Sequence, residues 1–327
     1  MSLLSRTLRL GTAGVLVLAA CTCALAADPY PARPPTMVIP FPPGGASDAL
    51  GRVIAQKLGD TLGKPVVIDN RAGAGSIIGT AFVAKAAPDG YTLLLSSGTT
   101  FTVNPAIRSD LPYDPVKSFD PIGVAGRTSL VLLANADVPV KTLRQFVDYV
   151  KAVPGKYPYG SYGSGSTSHF AAESMLAATG LKMTHVPYKG SAQAMTALIG
   201  GQVPFTVDTV TAAIPQVKTG RVRAIAVTSA RRSALLPQVP TMAESGYPSI
   251  DMDTWLALMA PRGLPADVKH SLEKALATVM QDADTRARLT ALGFDPVHVD
   301  AAGVAALIER ELPAMRALAQ RAHIQAD

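Results

Sequence analysis

The 327-residue chain has only two cysteines, and both of them, Cys21 and Cys23, lie near its N-terminus. Both precede the sequence Ala24-Leu25-Ala26, which has the small-residue pattern of a signal-peptide cleavage site. A chain cleaved after Ala26 contains no cysteine. A disulfide, a thiol nucleophile and a cysteine-based metal site are therefore not expected in the folded protein.

The sequence also lacks the usual patterns of a metal site or a hydrolase. The histidines are His169, His185, His270, His298 and His323. Their spacing matches no common metal site, so we expect neither a metal nor another cofactor. No Gly-x-Ser-x-Gly motif occurs, and Ser166 and His169 stand three residues apart at a predicted helix start, which disfavours a catalytic triad with Asp208. An exported hydrolase is the least favoured functional class, and we expect no enzyme activity.

Charged residues are scarce, at 17% of the chain against 48% hydrophobic residues. The 30 basic and 24 acidic residues give a formal charge of +6 without the Lys/Arg clusters or aromatic ladders that bind nucleic acid. After residue 26 no apolar run reaches the ~20 residues of a membrane span. The composition predicts an ordered globular protein that binds no nucleic acid.

The N-terminal segment has the features of an export signal. Arg6 and Arg9 precede an apolar stretch at 10–20 that is too short to cross a bilayer. Cleavage after Ala26 predicts a signal peptide at 1–26 and a soluble periplasmic protein. The sequence Leu-Ala-Ala-Cys ending at Cys21 also resembles a lipobox, so a lipid-anchored form remains open.

The remainder alternates short apolar runs with amphipathic helical patterns, which is typical of α/β proteins. Strands are predicted at 36–41, 65–69, 91–96, 130–134, 157–162, 183–188, 204–208, 222–229 and 254–260. Helices are predicted from about residue 48 and at 77–86, 143–153, 169–179, 192–199, 266–282 and 301–322. Two successive α/β units predict two lobes joined by crossing strands, and the last strand returns the chain to the first lobe.

Polar loops follow several of the predicted strands. They lie at 41–48, 70–76, 96–104, 159–169 and 186–191, and at Asp208-Thr209. Glycines there allow backbone N–H groups to approach a ligand, and helix starts add positive potential, so these loops suit an anion. Ordinary turns and helix caps are the competing interpretation, including for Asp48, His169 and Asp208.

The glycines at 73, 75 and 79 do not make a dinucleotide site. The third glycine stands one position too late, the motif follows the second strand, and no acidic residue closes the next strand about twenty residues on. Nucleotide binding is therefore not expected.

Six segments together resemble one protein family. They are PFPPGGASD (40–48), NRAGAGSIIG (70–79), AAPDGYTLL (86–94), YKGSAQAMTALIGGQV (188–203), VPTMAESGYP (239–248) and TWLALMAPRGLP (254–265). In this order they resemble the tripartite tricarboxylate transporter receptor (Bug) family. The resemblance covers nearly the whole chain after the signal.

The resemblance implies an α/β type II periplasmic-binding-protein fold with two lobes, each a mainly parallel sheet flanked by helices, and a ligand cleft between them. The lobes are expected at 27–128 with 253–327, and at 129–252. It implies a monomeric receptor that delivers a small carboxylate (a di- or tricarboxylate, an amino acid or an aromatic acid) to membrane transporter subunits. A sensor that presents its ligand to a membrane signalling partner is the alternative.

The same resemblance assigns ligand contacts to nine residues in the loops. They are Phe41, Gly45, Ala46, Asp48, Ser97, Ser164, Ser166, His169 and Asp208. Loop backbone groups and water, instead of an arginine clamp, are expected to hold the carboxylate. Asp208 suits an amino or hydroxyl group of the ligand.

Overall fold

A computed structural model describes residues 30–322 and 324–325. The expectations for the export signal and its two processing sites fall on residues 1–26, outside the described part. Within the described part, no helix combines the length and the apolar character needed to cross a membrane.

The first sheet and its helices are built from both ends of the described chain. From the N-terminal side come β1 (Thr36–Ile39), α1 (Ala46–Leu62), β2 (Val67–Asn70), α2 (Ile77–Ala84), β3 (Thr92–Ser97), α3 (Asn104–Ile107) and the beginning of β4 (Phe119–Asn135). A 3₁₀ turn (Ala74–Ser76) precedes α2, and a π-helical turn (Thr99–Val103) precedes α3.

The second sheet is formed by the middle of the chain, and the last elements return to the first sheet. The middle elements are α4 (Leu143–Lys151), β5 (Pro158–Ser161), α5 (Thr167–Thr179), β6 (Thr184–Pro187), α6 (Ser191–Ile199), β7 (Phe205–Thr209), α7 (Val210–Lys218) and β8 (Val222–Val227). The last elements are β9 (Asp253–Pro261), α8 (Ala266–Gln281), α9 (Ala283–Ala291), β10 (Val299–Asp300) and α10 (Ala301–Arg321).

Each half contains three parallel strands, and β4 takes part in antiparallel pairing in both halves. In the first sheet β1 lies between β2 and β3, and β9 runs antiparallel between β3 and β4. In the second sheet β5 lies between β6 and β7, and β7 and β8 pair antiparallel with β4. The predicted α/β, two-lobed fold class is confirmed.

Strand β4 is the element that connects the halves. From Phe119 to Ser129 it pairs with β9, and from Leu130 to Asn135 it pairs with β7 and β8. The predicted strand at 130–134 is therefore the second part of a 17-residue strand. The expectation that this strand begins at 130 was wrong because Pro121, at the position of a register shift, and nearby glycines interrupt the apolar pattern.

Four apolar clusters pack against the two sheets, one on each face of each sheet. In the first lobe Leu50, Ile54 and Leu58 of α1 are fully buried, as their four-residue spacing predicts. The opposite face of that sheet buries Trp255 with the ring of Phe101. The second lobe has its own pair of clusters, one on each face of its sheet. Each half therefore has its own core, and one further small cluster packs Phe170 of the second lobe against Val103 and Leu318 of the first.

Candidate functional site

A cavity of about 920 Å³ lies between the two halves, at the ends of strands from both sheets. The first lobe contributes the loop after β1, the loop at 72–76 and the end of β3. The second lobe contributes the loop at 162–166, the loop at 187–191 and the end of β7. We call this cavity the interlobe cleft.

The two walls of the interlobe cleft come close together at two places. The backbone N–H of Thr167 donates a hydrogen bond to Thr99 Oγ1 at 3.2 Å across the cleft. A Cβ atom added to Gly45 would lie 3.8 Å from Ser191 Cβ on the opposite wall. A larger side chain at Gly45 therefore changes how closely the two lobes can approach each other.

Seven of the nine sequence-assigned residues line the cleft. These are Phe41, Gly45, Ala46, Ser97, Ser164, Ser166 and Asp208. Asp48 and His169 lie outside the lining and contact the loops that form it. Whether each of the nine touches a bound ligand stays a prediction.

Asp48 holds the loop that precedes α1. Its Oδ2 accepts hydrogen bonds from the backbone N–H of Gly44 at 3.1 Å and from Arg52 Nε at 3.0 Å, and Oδ1 accepts from Arg52 Nη2 at 3.0 Å. Burial raises the pKa of Asp48, but the hydrogen bonds from Arg52 and Gly44 outweigh burial and hold the pKa below its usual value. The N-cap of α1 is Gly45, which has no side chain to compete for the backbone N–H groups of the first turn. Gly45, Ala46 and Ser47 all line the cleft.

His169 supports the loop at 161–166 from behind. Its Nδ1 accepts a hydrogen bond from the backbone N–H of Gly165 at 3.2 Å, and its ring stacks on His185 at 3.8 Å between centroids. His185 Nε2 in turn lies 2.7 Å from Ser161 Oγ. The stack fixes the backbone of the loop on the second wall.

Ser166 has a structural role that differs from that of a nucleophile. Its Oγ donates to the carbonyl oxygen of Gly163 at 2.6 Å and accepts from the backbone N–H of His169 at 3.3 Å, so Ser166 caps α5. In a hydrolytic triad the serine hydroxyl instead donates to an imidazole ring. These contacts favour ligand binding over acyl transfer at this loop.

Asp208 is fully buried at the end of β7 and faces the cleft. Its Oδ2 accepts from Ser191 Oγ at 2.7 Å, and Oδ1 accepts from the backbone N–H of Thr209 at 2.7 Å. Burial raises the pKa of Asp208 to about 6, against the lowering effect of these hydrogen bonds. The cap of α7 is Thr209, which accepts from Ala212, so the capping interpretation of Asp208 is wrong.

The raised pKa of Asp208 predicts a pH-dependent stability difference for Asp208→Asn. The folded state binds the proton more tightly than the unfolded state, so this carboxyl destabilises the wild type as pH rises from about 4 through about 6. Relative to wild type, the free energy of unfolding of the variant should rise by roughly 3 kcal/mol between pH 4 and pH 8. Urea denaturation of both proteins at each pH measures this difference.

Asp48→Asn is the matched control for that experiment. The folded-state pKa of Asp48 is lowered, so its carboxyl stabilises the protein above the unfolded-state pKa and loses that effect as pH falls. The variant-minus-wild-type difference should therefore fall with rising pH. If the variant-minus-wild-type free energy of unfolding for Asp208→Asn does not change with pH, or falls as pH rises, burial does not raise the pKa of Asp208.

Several lining residues lie outside the loops that the sequence analysis selected, among them Arg108, Thr254 and Leu256. Arg108 follows α3, and Thr254 and Leu256 lie within β9. The predicted site was built from loops that follow strands, whereas these three residues lie at a helix end and inside a strand. The alternation of side chains along the predicted strand at 254–260 was the available signal for Thr254 and Leu256.

Within the described part of the chain, no group of three or more His, Cys, Asp or Glu side chains is placed to hold a metal ion. In the described lining of the cleft, the charged side chains are Arg108, Lys189 and Asp208. The rest of the lining consists of hydroxyl groups, the amide of Gln193, glycine backbone and apolar surface. This combination suits a small polar anion.

Two α/β lobes that share crossing strands and enclose a polar cleft are the architecture of the periplasmic-binding-protein fold. Residues 50–324 match the family model for the tripartite tricarboxylate transporter family receptor. The chain belongs to this family, whose members are solute-binding receptors. The family resemblance seen in the six sequence segments is thus confirmed.

Individual relatives agree with this assignment. The chain is 38% identical to protein BugT of Bordetella pertussis over 296 residues, which is 90% of this chain and 91% of BugT. A solved R. palustris protein with adipate is 33% identical and has a TM-score of 0.88, with 90% of this chain and 99% of the other covered. MatC from Rhodopseudomonas palustris with bound malate is 32% identical, with a TM-score of 0.82 and 88% and 99% covered.

Proposed function

We propose that the chain is a periplasmic receptor that binds a small carboxylate in the interlobe cleft and delivers it to a tripartite tricarboxylate-type membrane transporter. The observation that carries this proposal is the convergence of α1 and α5 on one cleft from opposite lobes. The N-caps of both helices, Gly45 and Ser166, line the cleft, and the positive potential of a helix N-terminus favours anions. The two relatives in complex with adipate and malate support the ligand class.

Closure of the two lobes on the ligand follows from the distribution of these groups. Neither wall alone surrounds a carboxylate, and each hydrogen bond to a charged group contributes roughly 1.5–3 kcal/mol. Groups from both walls together offset the lost hydration, so the ligand binds the closed form more tightly and favours it. The proposed lobes are 27–128 with 253–327, and 129–252, which places one boundary where β4 exchanges partners after Ser129.

The proposed receptor is exported by the signal at 1–26 and acts as a monomer without enzyme activity. The arrangement of Ser166 and the absence of a nucleophile elbow support a binding role over a hydrolytic one.

A thermal-shift screen tests the ligand class. The panel contains C3–C8 mono- and dicarboxylates, each with its hydroxy- and amino-substituted forms, and neutral sugars and amides as controls. We expect a carboxylate to raise the melting temperature, since a ligand at 100 times its Kd stabilises the fold by ~2.7 kcal/mol. Small-angle scattering with that carboxylate should show a smaller radius of gyration. A panel in which no carboxylate binds at 10 mM would overturn the proposed function.

A further inference from the structure

A second cavity, of about 790 Å³, lies on the other face of the crossing strands from the interlobe cleft. Along β9 the residues alternate between the two: Asp253 and Trp255 line the second cavity, whereas Thr254 and Leu256 line the cleft. Successive side chains of a strand point to opposite faces, so the two cavities are separate. The volume of the second cavity lies within the roughly 300–1,000 Å³ of known small-molecule sites.

Both halves of the protein supply walls of the second cavity. Arg310 and Met315 of α10 and the segment at 293–296 line it from the first lobe. The segment at 229–235, which begins two residues after β8, and Met252 line it from the second. A molecule bound there would therefore contact both lobes.

The interior of the second cavity is apolar and adaptable. Val103, Met252 and Met315 line it and belong to, or pack against, the small cluster that contains Phe170 and Leu318. Methionine side chains are flexible and polarisable, so they can fit apolar groups of different shapes. This part of the cavity suits the hydrocarbon portion of a ligand.

Two arginines in the lining have N–H donors available to a ligand. The side chains of Arg310 and Arg231, from different lobes, are 71% and 89% exposed. Arg310 Nη2 lies 3.7 Å from Glu311 Oε1, and Arg231 Nη2 lies 3.8 Å from Asp295 Oδ2. Both distances exceed the length of a hydrogen bond.

The carboxylates deeper in the wall are instead engaged by protein donors. Asp253 accepts two hydrogen bonds of 3.1 Å from Arg127 Nη1, and Glu311 Oε2 accepts one of 2.7 Å from Trp255 Nε1. Asp251 accepts from a backbone N–H at 2.9 Å. The available hydrogen-bonding groups therefore favour an anion at the exposed arginines over a cation in the wall.

We propose that the second cavity binds an amphipathic organic anion, with its apolar part against Met252 and Met315 and its acidic group on Arg231 and Arg310. The site is distinct from the interlobe cleft, and the inference does not depend on which solute the cleft binds. Because its ligand touches both lobes, the site is placed to influence their closure.

Two fluorescent probes of matched shape test the proposal on the exported chain. The compounds 8-anilinonaphthalene-1-sulfonate and N-phenyl-1-naphthylamine have the same aromatic groups, and only the first carries an acidic group. Fluorescence titrations at pH 7.5 and low ionic strength should show one site that binds the sulfonate at least about tenfold more tightly than the amine, since exposed charges are screened by salt.

Single substitutions locate each part of the ligand. Arg310→Gln and Arg231→Gln should each weaken binding of the sulfonate roughly three- to tenfold and change that of the neutral amine less than about twofold. Met315→Gln has a side chain of similar size but polar, so it should weaken both probes. The arginine variants should melt like wild type, because a long, exposed ion pair contributes little stability.

Two control variants remove a cation elsewhere. Lys189→Gln removes one from the lining of the interlobe cleft, and Arg144→Gln removes an 88% exposed guanidinium on α4. Both should leave the affinity for the sulfonate within about twofold of wild type. The proposal is overturned if the two probes bind equally, if either Arg231 or Arg310 can be replaced without loss, or if Lys189→Gln weakens the sulfonate as much as Arg310→Gln does, which would place the probe in the cleft.

Discussion

Replacing Gly45 by leucine is expected to lower carboxylate affinity by at least about 100-fold. Even a Cβ at this position lies 3.8 Å from Ser191 Cβ of the opposite wall, so the remaining atoms of a leucine side chain occupy the space between the lobes. The backbone of Gly45 has φ −89 and ψ 179, which any residue adopts, so the fold itself should tolerate the change. Titration calorimetry with the tightest-binding carboxylate of the panel measures the loss.

Gly45→Ala separates the steric effect of the leucine side chain from the effect of losing glycine at the helix cap. Alanine and leucine both replace glycine at the cap of α1, but the alanine Cβ fits at an ordinary contact distance. We expect less than about a fivefold change in affinity for alanine. Small-angle scattering should show that saturating ligand compacts the alanine variant and not the leucine variant. A leucine variant that binds the ligand and becomes compact like wild type would contradict closure of the lobes between Gly45 and Ser191.

Trp255→Ala is expected to lower the free energy of unfolding by about 4 kcal/mol, which is a large effect for one substitution. The indole is 1% exposed and stacks on Phe101, with ring centroids 5.9 Å apart and an interplanar angle of 9°. Its Nε1 donates a hydrogen bond to Glu311 Oε2 at 2.7 Å. The variant therefore gains a cavity and also leaves a carboxylate without its donor, and burial already raises the pKa of Glu311.

Urea denaturation followed by circular dichroism measures this loss, because the variant contains no tryptophan for fluorescence. Trp255→Phe keeps a six-membered aromatic ring but loses the five-membered ring of the indole with its N–H donor, so it should destabilise the protein less than Trp255→Ala does. Phe82→Ala is the surface control, since Phe82 is 41% exposed, and it should cost less than about 1 kcal/mol. A loss below about 2 kcal/mol for Trp255→Ala would show that the cluster around Phe101 repacks.

The regular elements of the fold were largely readable from the sequence. The four-residue spacing in α1 and the apolar run of β3 follow from the periodicity of helices and strands. Helix α1 begins two residues before its predicted start, and β3 is displaced by one residue from its predicted range. Elements whose shape depends on tertiary pairing were missed. The first part of β4 exists because β9 lies beside it, and α7 contains Pro215, which is unusual inside a helix.

The candidate site was partly predictable for a related reason. Loops with glycines and hydroxyls after strands identify backbone and cap positions, and most of the assigned residues do line the cleft. The sequence could not distinguish a residue that faces the cleft from one that braces its loop. Asp48 and His169 both belong to the second kind, and only the three-dimensional positions of Gly44 and Gly165 show it.

The alternation of side chains along β9 has a practical consequence. Trp255 is the one tryptophan of the entire sequence. It follows Thr254 on the same strand but lines the second cavity, together with Arg127 and Glu311, instead of the interlobe cleft. All tryptophan emission of the protein therefore originates from one residue, which pairs with Arg127 of β4 shortly before that strand enters the second sheet. The chain carries an intrinsic optical reporter whose signal comes from strand β9 and needs no added dye.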